Sequence, residues 1–107
     1  MEKRIQDELN VLTKIILDTV PVKQIFLFGS YAGGIVHAES DLDIYVVIPD
    51  NAEIREIDAM RLIRKAIRDK KTIPVDVIVS KEKKFNLRKF SPTIERHVVQ
   101  EGRVLYG

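Results

Sequence analysis

Apolar residues recur near the start of the chain at the spacing of one helical face. The members of this stripe are Ile5, Leu9, Leu12 and Ile16. Their four-three-four spacing predicts an amphipathic helix over residues 2–19. Pro21 ends this helix, because a residue that precedes a proline is pushed out of the helical conformation.

Short apolar runs at residues 24–28, 42–48 and 75–79 are typical of strands. Between the last two, apolar positions return to helical spacing and predict a helix over residues 53–70. That stripe consists of Ile54, Ile57, Met60, Ile63 and Ile67. A helix of this length suits a crossover over one face of a sheet.

The pattern weakens after Lys81. Residues 92–100 predict a short helix with Pro92 in its first turn and Gly102 at its C-terminal end. Residues 103–106 then return as an edge strand or pack as a tail. The order of elements predicts an α/β (α+β) fold, in which a small mixed sheet is covered by helices.

Length and composition set limits on this domain. The 107 residues allow one domain over 1–107, and 45% hydrophobic with 32% charged residues is a globular composition. The chain has no cysteine, which excludes disulfides and thiolate zinc sites. No apolar run is long enough to span a membrane and the N-terminus does not resemble a signal peptide, so we expect a cytoplasmic protein. The net charge of +2 gives no argument for a nucleic-acid partner.

Three aspartates stand out against this background. Asp41 and Asp43 are two residues apart at the start of a strand, so their side chains point to the same face with Cα atoms about 6.6 Å apart. Asp76 interrupts an apolar strand, where a carboxylate that loses its water needs a cation or hydrogen-bond donors. If the two strands are neighbours, the three carboxylates form a cluster suited to one or two divalent cations. The alternatives are a cap for Asp41 and solvent-facing positions for Asp43 and Asp76.

Gly29 and Ser30 follow the first strand directly. A glycine lets the backbone adopt positive φ and approach a ligand closely, and the N–H groups of a helix start can bind phosphate oxygens. A phosphate-binding turn beside three metal-binding carboxylates is what the transfer of a nucleoside phosphate requires. Taken alone, the Gly-Ser pair favours a plain turn.

Three motifs together resemble the nucleotidyltransferases of the DNA polymerase beta superfamily. They are Gly29–Gly34, Ser40–Ile44 and Val75–Ile78, followed by the similar ending Glu101–Tyr106. The short chain is similar to the minimal nucleotidyltransferases, the antitoxins that pair with HEPN-type toxins. The resemblance implies that Gly29 and Ser30 bind the nucleotide, that Asp41, Asp43 and Asp76 are catalytic, and that these three hold two Mg²⁺ ions.

The same resemblance implies the transfer of a nucleoside monophosphate, AMP from ATP, to an acceptor hydroxyl. Its acceptor would be a tyrosine of a helical HEPN-type partner, and a homo-oligomer is the other expected assembly. A small-molecule nucleotidyltransferase of the aminoglycoside type and a non-catalytic binding module are the alternatives. Many members have arginine where this chain has Gly33, which bears on substrate choice.

Four aromatic residues are secondary candidates. Tyr31 and Tyr45 lie close in sequence to the motifs and are candidates for nucleotide contact or packing. Phe85 and Phe90 lie in a charged stretch, either as core residues or as exposed anchors for a partner. The many cations between Arg61 and Lys89 predict either a solvated face or a surface for a nucleotide, RNA or an acidic partner.

Overall fold

A computed structural model describes residues 2–34 and 41–107. Ser40, the first residue of the second motif, lies outside this part of the chain. The helices are α1 (Lys3–Thr19), α2 (Ser30–Gly33), α3 (Glu56–Ile67), α4 (Glu82–Arg88) and α5 (Ile94–Glu101). The strands are β1 (Gln24–Phe28), β2 (Leu42–Ile48), β3 (Val75–Lys81) and β4 (Arg103–Tyr106).

The four strands form one mixed sheet in the order β3-β2-β1-β4. β1 pairs antiparallel with both β2 and β4, whereas β2 and β3 are parallel. The connection between the parallel strands contains α3, as a crossover requires. The predicted fold class is therefore confirmed, and residues 103–106 are an edge strand.

One face of the sheet packs against α1 and α3. The apolar stripe of α1 is fully or almost fully buried, as its spacing predicts. It meets alternate residues of the two central strands, which are Ile25, Leu27, Leu42, Ile44, Val46 and Ile48. Burial of this apolar surface is the main source of stability for the fold.

The opposite face packs against α4 and α5. Its core is aromatic and consists of Phe26, Phe28, Tyr45, Val47, Phe85 and Val98. The ring of Phe85 stacks on that of Phe26 with centroids 5.6 Å apart and lies 5.3 Å from that of Tyr45. Phe28, a member of this core, is the register partner of Asp43, so the N-terminal end of β2 borders the aromatic core.

The structure corrects several element boundaries. The helix predicted over residues 53–70 is limited to Glu56–Ile67, and its buried positions are Ala59, Ile63 and Ile67, while Ile57 is exposed. Pro92 precedes α5, whose N-terminus is capped instead by the Thr93 side chain, which accepts from the Arg96 N–H at 3.3 Å. The helix α4 has no counterpart in the sequence prediction.

The described residues contain no helix that is long and apolar enough to cross a membrane.

Candidate active site

The three motifs meet at one end of the sheet. The C-terminal end of β1 lies beside the N-terminal end of β2, since these strands are antiparallel, and β3 starts at the same end because it runs parallel to β2. In the register, Phe28 pairs with Asp43 and Asp43 pairs with Asp76. Gly29, which follows Phe28, is therefore next to the carboxylates.

Asp43 and Asp76 point to the same face of the sheet. They are register partners on neighbouring strands, and partners in a sheet share a face. Asp43 has the same parity as Tyr45, so both carboxylates lie on the aromatic face, past the end of its core. Asp41 precedes β2 by one residue and is half-buried. The predicted proximity of the three aspartates thus has its basis in strand order and register.

The charge on Asp43 is unfavourable in this structure. Partial burial raises the pKa of the Asp43 carboxyl above its ordinary value, and the carboxylates of Asp76 and then Asp41 raise it further. Within residues 2–34 and 41–107, none of the three carboxylates accepts a hydrogen bond or forms an ion pair. Such a group of like charges is stabilised when a cation binds to it.

Gly29 makes room for Asp43. Its backbone has φ 77° and ψ −155°, a conformation that is essentially restricted to glycine. A Cβ atom added at Gly29 would overlap the Asp43 Oδ2 atom and lie 3.1 Å from its Cγ atom. The glycine is therefore needed for the position of a site carboxylate, a role that spacing along the sequence does not reveal.

Ser30 begins the four-residue helix α2 and is exposed. The Gly33 N–H donates to the Gly29 carbonyl at 3.1 Å and closes this turn. The arrangement leaves the turn next to the carboxylates. Its binding of a triphosphate stays a prediction.

Asp76 differs from its expected environment. It is exposed, because β3 is an edge strand of the sheet. The expectation that the Asp76 carboxylate loses its water in a sheet interior is therefore wrong. Loss of hydration is not a reason for Asp76 to need a cation. Its exposure makes it accessible from outside the domain.

The donor set suits a hard cation, because Mg²⁺ prefers carboxylate oxygens. Across the described ranges, however, no three acidic or histidine side chains converge around one point as they do around a bound ion. The structure thus brings Asp43 and Asp76 into register and leaves Asp41 beside them. Binding of two Mg²⁺ ions by these residues remains a prediction.

Tyr45 is fully buried, so its proposed contact with a nucleotide is wrong and packing is its role. Its hydroxyl donates to Glu95 Oε2 at 2.8 Å, and Arg88 Nε donates to Glu95 Oε1 at 2.7 Å. Burial raises the pKa of Tyr45, which keeps the hydroxyl protonated as a donor. This network ties α4 and α5 to β2. The network could not be predicted from the sequence, because nothing in the spacing of these residues brings them together.

A small mixed sheet with carboxylates in register at one strand end, beside a glycine turn, defines a domain built for nucleotidyl transfer. The family model described as "Nucleotidyltransferase domain" matches residues 9–104. The chain belongs to this family, and within it to the minimal nucleotidyltransferases, as its motifs predict.

Two relatives support this assignment. A Methanocaldococcus jannaschii protein, provisionally named a protein adenylyltransferase, is 35% identical over 105 residues, which are 98% of this chain and 97% of the relative. The protein adenylyltransferase MntA of Shewanella oneidensis is 31% identical over 100 residues. That match covers 92% of this chain and 64% of the relative, which is the longer protein.

Solved structures have the same fold. A Sulfolobus solfataricus protein, provisionally assigned as a nucleotidyltransferase, has a TM-score of 0.65 at 20% identity. The match covers 94% of this chain and 78% of the Sulfolobus chain. A chain of the MntA–HpeT toxin–antitoxin, in a variant with two aspartates replaced by glutamate, has a TM-score of 0.68 at 27% identity. The match covers 92% of this chain and 73% of that chain. A toxin–antitoxin solved with AMP-PNP has a TM-score of 0.58 at 25% identity, with 94% and 73% covered.

Proposed function

We propose that this nucleotidyltransferase moves AMP from ATP to a hydroxyl group of a partner protein, with Mg²⁺ bound by Asp41, Asp43 and Asp76. The observation that supports it most is the register of Asp43 with Asp76, beside Gly29 at one end of the sheet. The names of the two relatives, both protein adenylyltransferases, support a protein as acceptor.

In this reaction the acceptor oxygen forms a bond to the α-phosphorus of ATP, the bond from that phosphorus to the β-phosphate oxygen breaks, and pyrophosphate leaves. Mg²⁺ would neutralise charge on the triphosphate and make the acceptor hydroxyl more acidic. The backbone N–H groups of the turn at Gly29 and Ser30 would hold phosphate oxygens. Asp76, exposed on an edge strand, would chiefly hold the Mg²⁺ on the side of the acceptor, and taking the proton of the acceptor hydroxyl would be its secondary role.

The acceptor in this proposal is a tyrosine of a helical HEPN-type toxin, and the chain is its antitoxin. The toxin–antitoxin structures that share the fold support a complex of this kind. An apolar patch at the connection of α4 and α5 supports a protein contact, since Phe90 is 79% exposed and Leu87 is 67% exposed. Phe85, the other aromatic candidate for such a contact, is buried in the core instead.

The test is the transfer of labelled AMP from ATP to the co-purified partner, measured alongside nucleotide binding. Asp76→Asn is expected to retain much of the Mg²⁺–ATP affinity and to lose nearly all transfer. Asp43→Asn is expected to lose both, because this residue lies against the turn. Asp69→Asn is the matched control, since Asp69 is an exposed aspartate in the turn after α3 and should leave both unchanged.

Full transfer activity in Asp76→Asn would exclude its assigned role. If Asp43→Asn binds Mg²⁺–ATP as well as the parent protein, the carboxylates do not hold the metal. If the parent binds ATP and modifies no partner, the chain is a binding module or acts on a small molecule. Aminoglycoside acceptors in the same assay separate these two outcomes.

A further inference from the structure

The outer edge of β3 presents backbone groups that the sheet does not use. The Leu42 N–H donates to the Pro74 carbonyl at 2.9 Å, which sets the pairing between β2 and β3. Because peptide groups alternate along a strand, even positions from 74 to 80 turn theirs toward β2 and odd positions turn theirs away. The outward set consists of Val75, Val77, Val79 and Lys81.

Within the part of the chain that the structure describes, a side chain covers one end of this edge. The outward Lys81 N–H donates to Glu56 Oε2 at 2.8 Å, so the last position is occupied by a side chain of α3. In residues 2–34 and 41–107, the outward N–H groups of the three valines have no hydrogen-bond partner. A row of unpaired peptide groups on an edge strand is a template for a further strand.

A groove runs along this edge between β3 and α3, and we call it the β3 groove. Its larger part has a volume of about 660 Å³ and is lined by apolar side chains that include Ile57, Met60 and Val79. A smaller hollow of about 240 Å³ continues it toward Val75. Arg64 lines both hollows, which are therefore neighbours along β3.

The helix side of the groove is basic. Arg64, Arg68 and Lys71 line it and form no ion pair with any residue in the described ranges. Glu56 is the acidic residue of the lining, and its carboxylate already accepts from the Lys81 N–H and lies 3.8 Å from Lys84 Nζ. The groove therefore has an excess of uncompensated positive charge.

We propose that the β3 groove docks an extended, acidic segment of a partner protein, which adds as a further strand to the free edge of β3. The outward peptide groups would bind the backbone of that segment, apolar side chains would enter the groove, and carboxylates would pair with Arg64, Arg68 and Lys71. The groove ends beside Asp76. Delivery of an acceptor to that carboxylate is the one consequence that rests on the proposed function.

Two other occupants fit less well. A second copy of this chain would bring the same basic lining against itself, and like charges repel across an interface. Single-stranded nucleic acid is bound mainly by stacking on aromatic rings, and none of the described residues that line the two hollows is aromatic. Charge complementarity and the open strand edge together favour an acidic peptide.

The probe is a capped ten-residue peptide that alternates valine with glutamate, followed by amide hydrogen exchange in NMR. In the free protein the amides of Val77 and Val79 should exchange rapidly, and those of Ile78 and Ser80 slowly. The peptide should slow exchange at Val77 and Val79 by about tenfold or more. A valine–lysine peptide of equal length and an oligouridylate are the comparison probes.

Two pairs of variants sharpen the test. Val79→Pro removes an outward N–H and keeps the bonds to β2, whereas Val79→Ala retains that N–H. Arg64→Glu combined with Arg68→Glu reverses the charge of the groove, whereas Lys65→Glu changes an exposed cation of α3 outside its lining. We expect Val79→Pro to bind the peptide about tenfold or more weakly than Val79→Ala, and the double variant to bind it about tenfold or more weakly than the parent, whereas Lys65→Glu should bind as the parent does.

Equal binding of both peptides, or amide changes confined to other parts of the chain, would overturn the proposal. Protection of Val77 and Val79 by oligouridylate alone would make the groove a nucleic-acid site instead. The experiment contains no ATP, so its outcome is independent of whether the chain transfers AMP. A docking failure and a catalytic failure are thus distinguishable.

Discussion

The backbone of Gly29 and the carboxylate of Asp43 lie in close contact. This contact explains why position 29 needs a glycine and where the Asp43 side chain lies. Gly29 has positive φ and no Cβ, which allows the Asp43 carboxylate to lie against it. Burial raises the pKa of the Asp43 carboxyl, and the two neighbouring carboxylates of Asp76 and Asp41 raise it further. At the scale of single residues, two features characterise the candidate site. Position 29 has no side chain, and negatively charged side chains lie close together around Asp43.

Gly29→Ala is expected to destabilise the fold as well as the site. The strained backbone conformation alone costs about 1–3 kcal/mol for a non-glycine residue, and the added Cβ also displaces Asp43. Urea unfolding of the two proteins measures this loss. Gly33→Ala is the matched control, because no described atom lies within 4 Å of its added Cβ. Equal stability of Gly29→Ala and the parent would show that the turn relaxes freely.

At the scale of elements, α4 and α5 close the aromatic face of the sheet. Their contact depends on one ring and one buried carboxylate. Phe85 is 2% exposed and packs between Phe26 and Tyr45, while Glu95 is 4% exposed and accepts from both Tyr45 and Arg88. Neighbouring Phe90, five residues later, lies outside this packing.

Phe85→Ala and Phe90→Ala should therefore differ sharply in their free energies of unfolding. Loss of the buried ring is expected to cost about 3–5 kcal/mol, because it leaves a cavity, whereas loss of the exposed ring should change stability by less than about 0.5 kcal/mol. Chemical denaturation measures both. A comparable loss in the two variants would contradict the packing of α4 described above.

Glu95 makes the stability of the fold depend on pH. Its burial raises the pKa, but hydrogen bonds from Arg88 and Tyr45 outweigh this and hold the pKa of Glu95 below its ordinary value of 4.5. A lowered pKa in the folded state means that the stabilisation is complete above pH 4.5 and is lost as the pH falls through the lowered value. Glu95→Gln should cost about 1–3 kcal/mol at pH 7, and the difference from the parent should shrink below pH 4.5.

Unfolding curves at several pH values provide the measurement for Glu95. Glu101→Gln is the control, since Glu101 is an exposed residue at the end of the same helix. The free energies of unfolding of the parent and Glu95→Gln are compared at each pH. A difference that stays constant down to strongly acidic pH would show that the carboxylate charge does not contribute to stability.

At the scale of the whole molecule, the carboxylates crowded at one end of the sheet affect the stability of the fold. Because the pKa of Asp43 is raised in the folded state, its ionised form opposes folding. Removing that charge should stabilise the ligand-free protein. Binding of Mg²⁺–ATP should have the same effect through a different route, since a ligand of the folded state stabilises it.

Thermal unfolding with and without Mg²⁺–ATP tests both statements. Asp43→Asn should unfold at a higher temperature than the parent without ligand. At a ligand concentration about 100 times the dissociation constant, the parent should gain about 2.7 kcal/mol and Asp43→Asn almost none. Asp69→Asn should behave as the parent in both conditions. An equal gain in Asp43→Asn would place the ligand elsewhere.

The hydrophobic pattern predicted three of the four strands, the helices α1, α3 and α5, and the class of fold. It succeeded because burial of one helix face or one strand is a local property of spacing. It placed Ile57 in the core of α3 wrongly and missed α4, since a charged segment becomes a helix here by packing one residue, Phe85, on the aromatic face. Propensity along the chain does not include that contact.

The motifs likewise determined which residues form the candidate site, because Gly29, Asp41, Asp43 and Asp76 are recognisable by type and spacing. Only the tertiary structure decided that Asp76 lies exposed on an edge strand, that Gly29 makes room for a carboxylate, and that Tyr45 is buried against Glu95. The physical reason is the same in each case. Strand order and the close approach of two chain segments arise from long-range packing, which the local sequence does not encode.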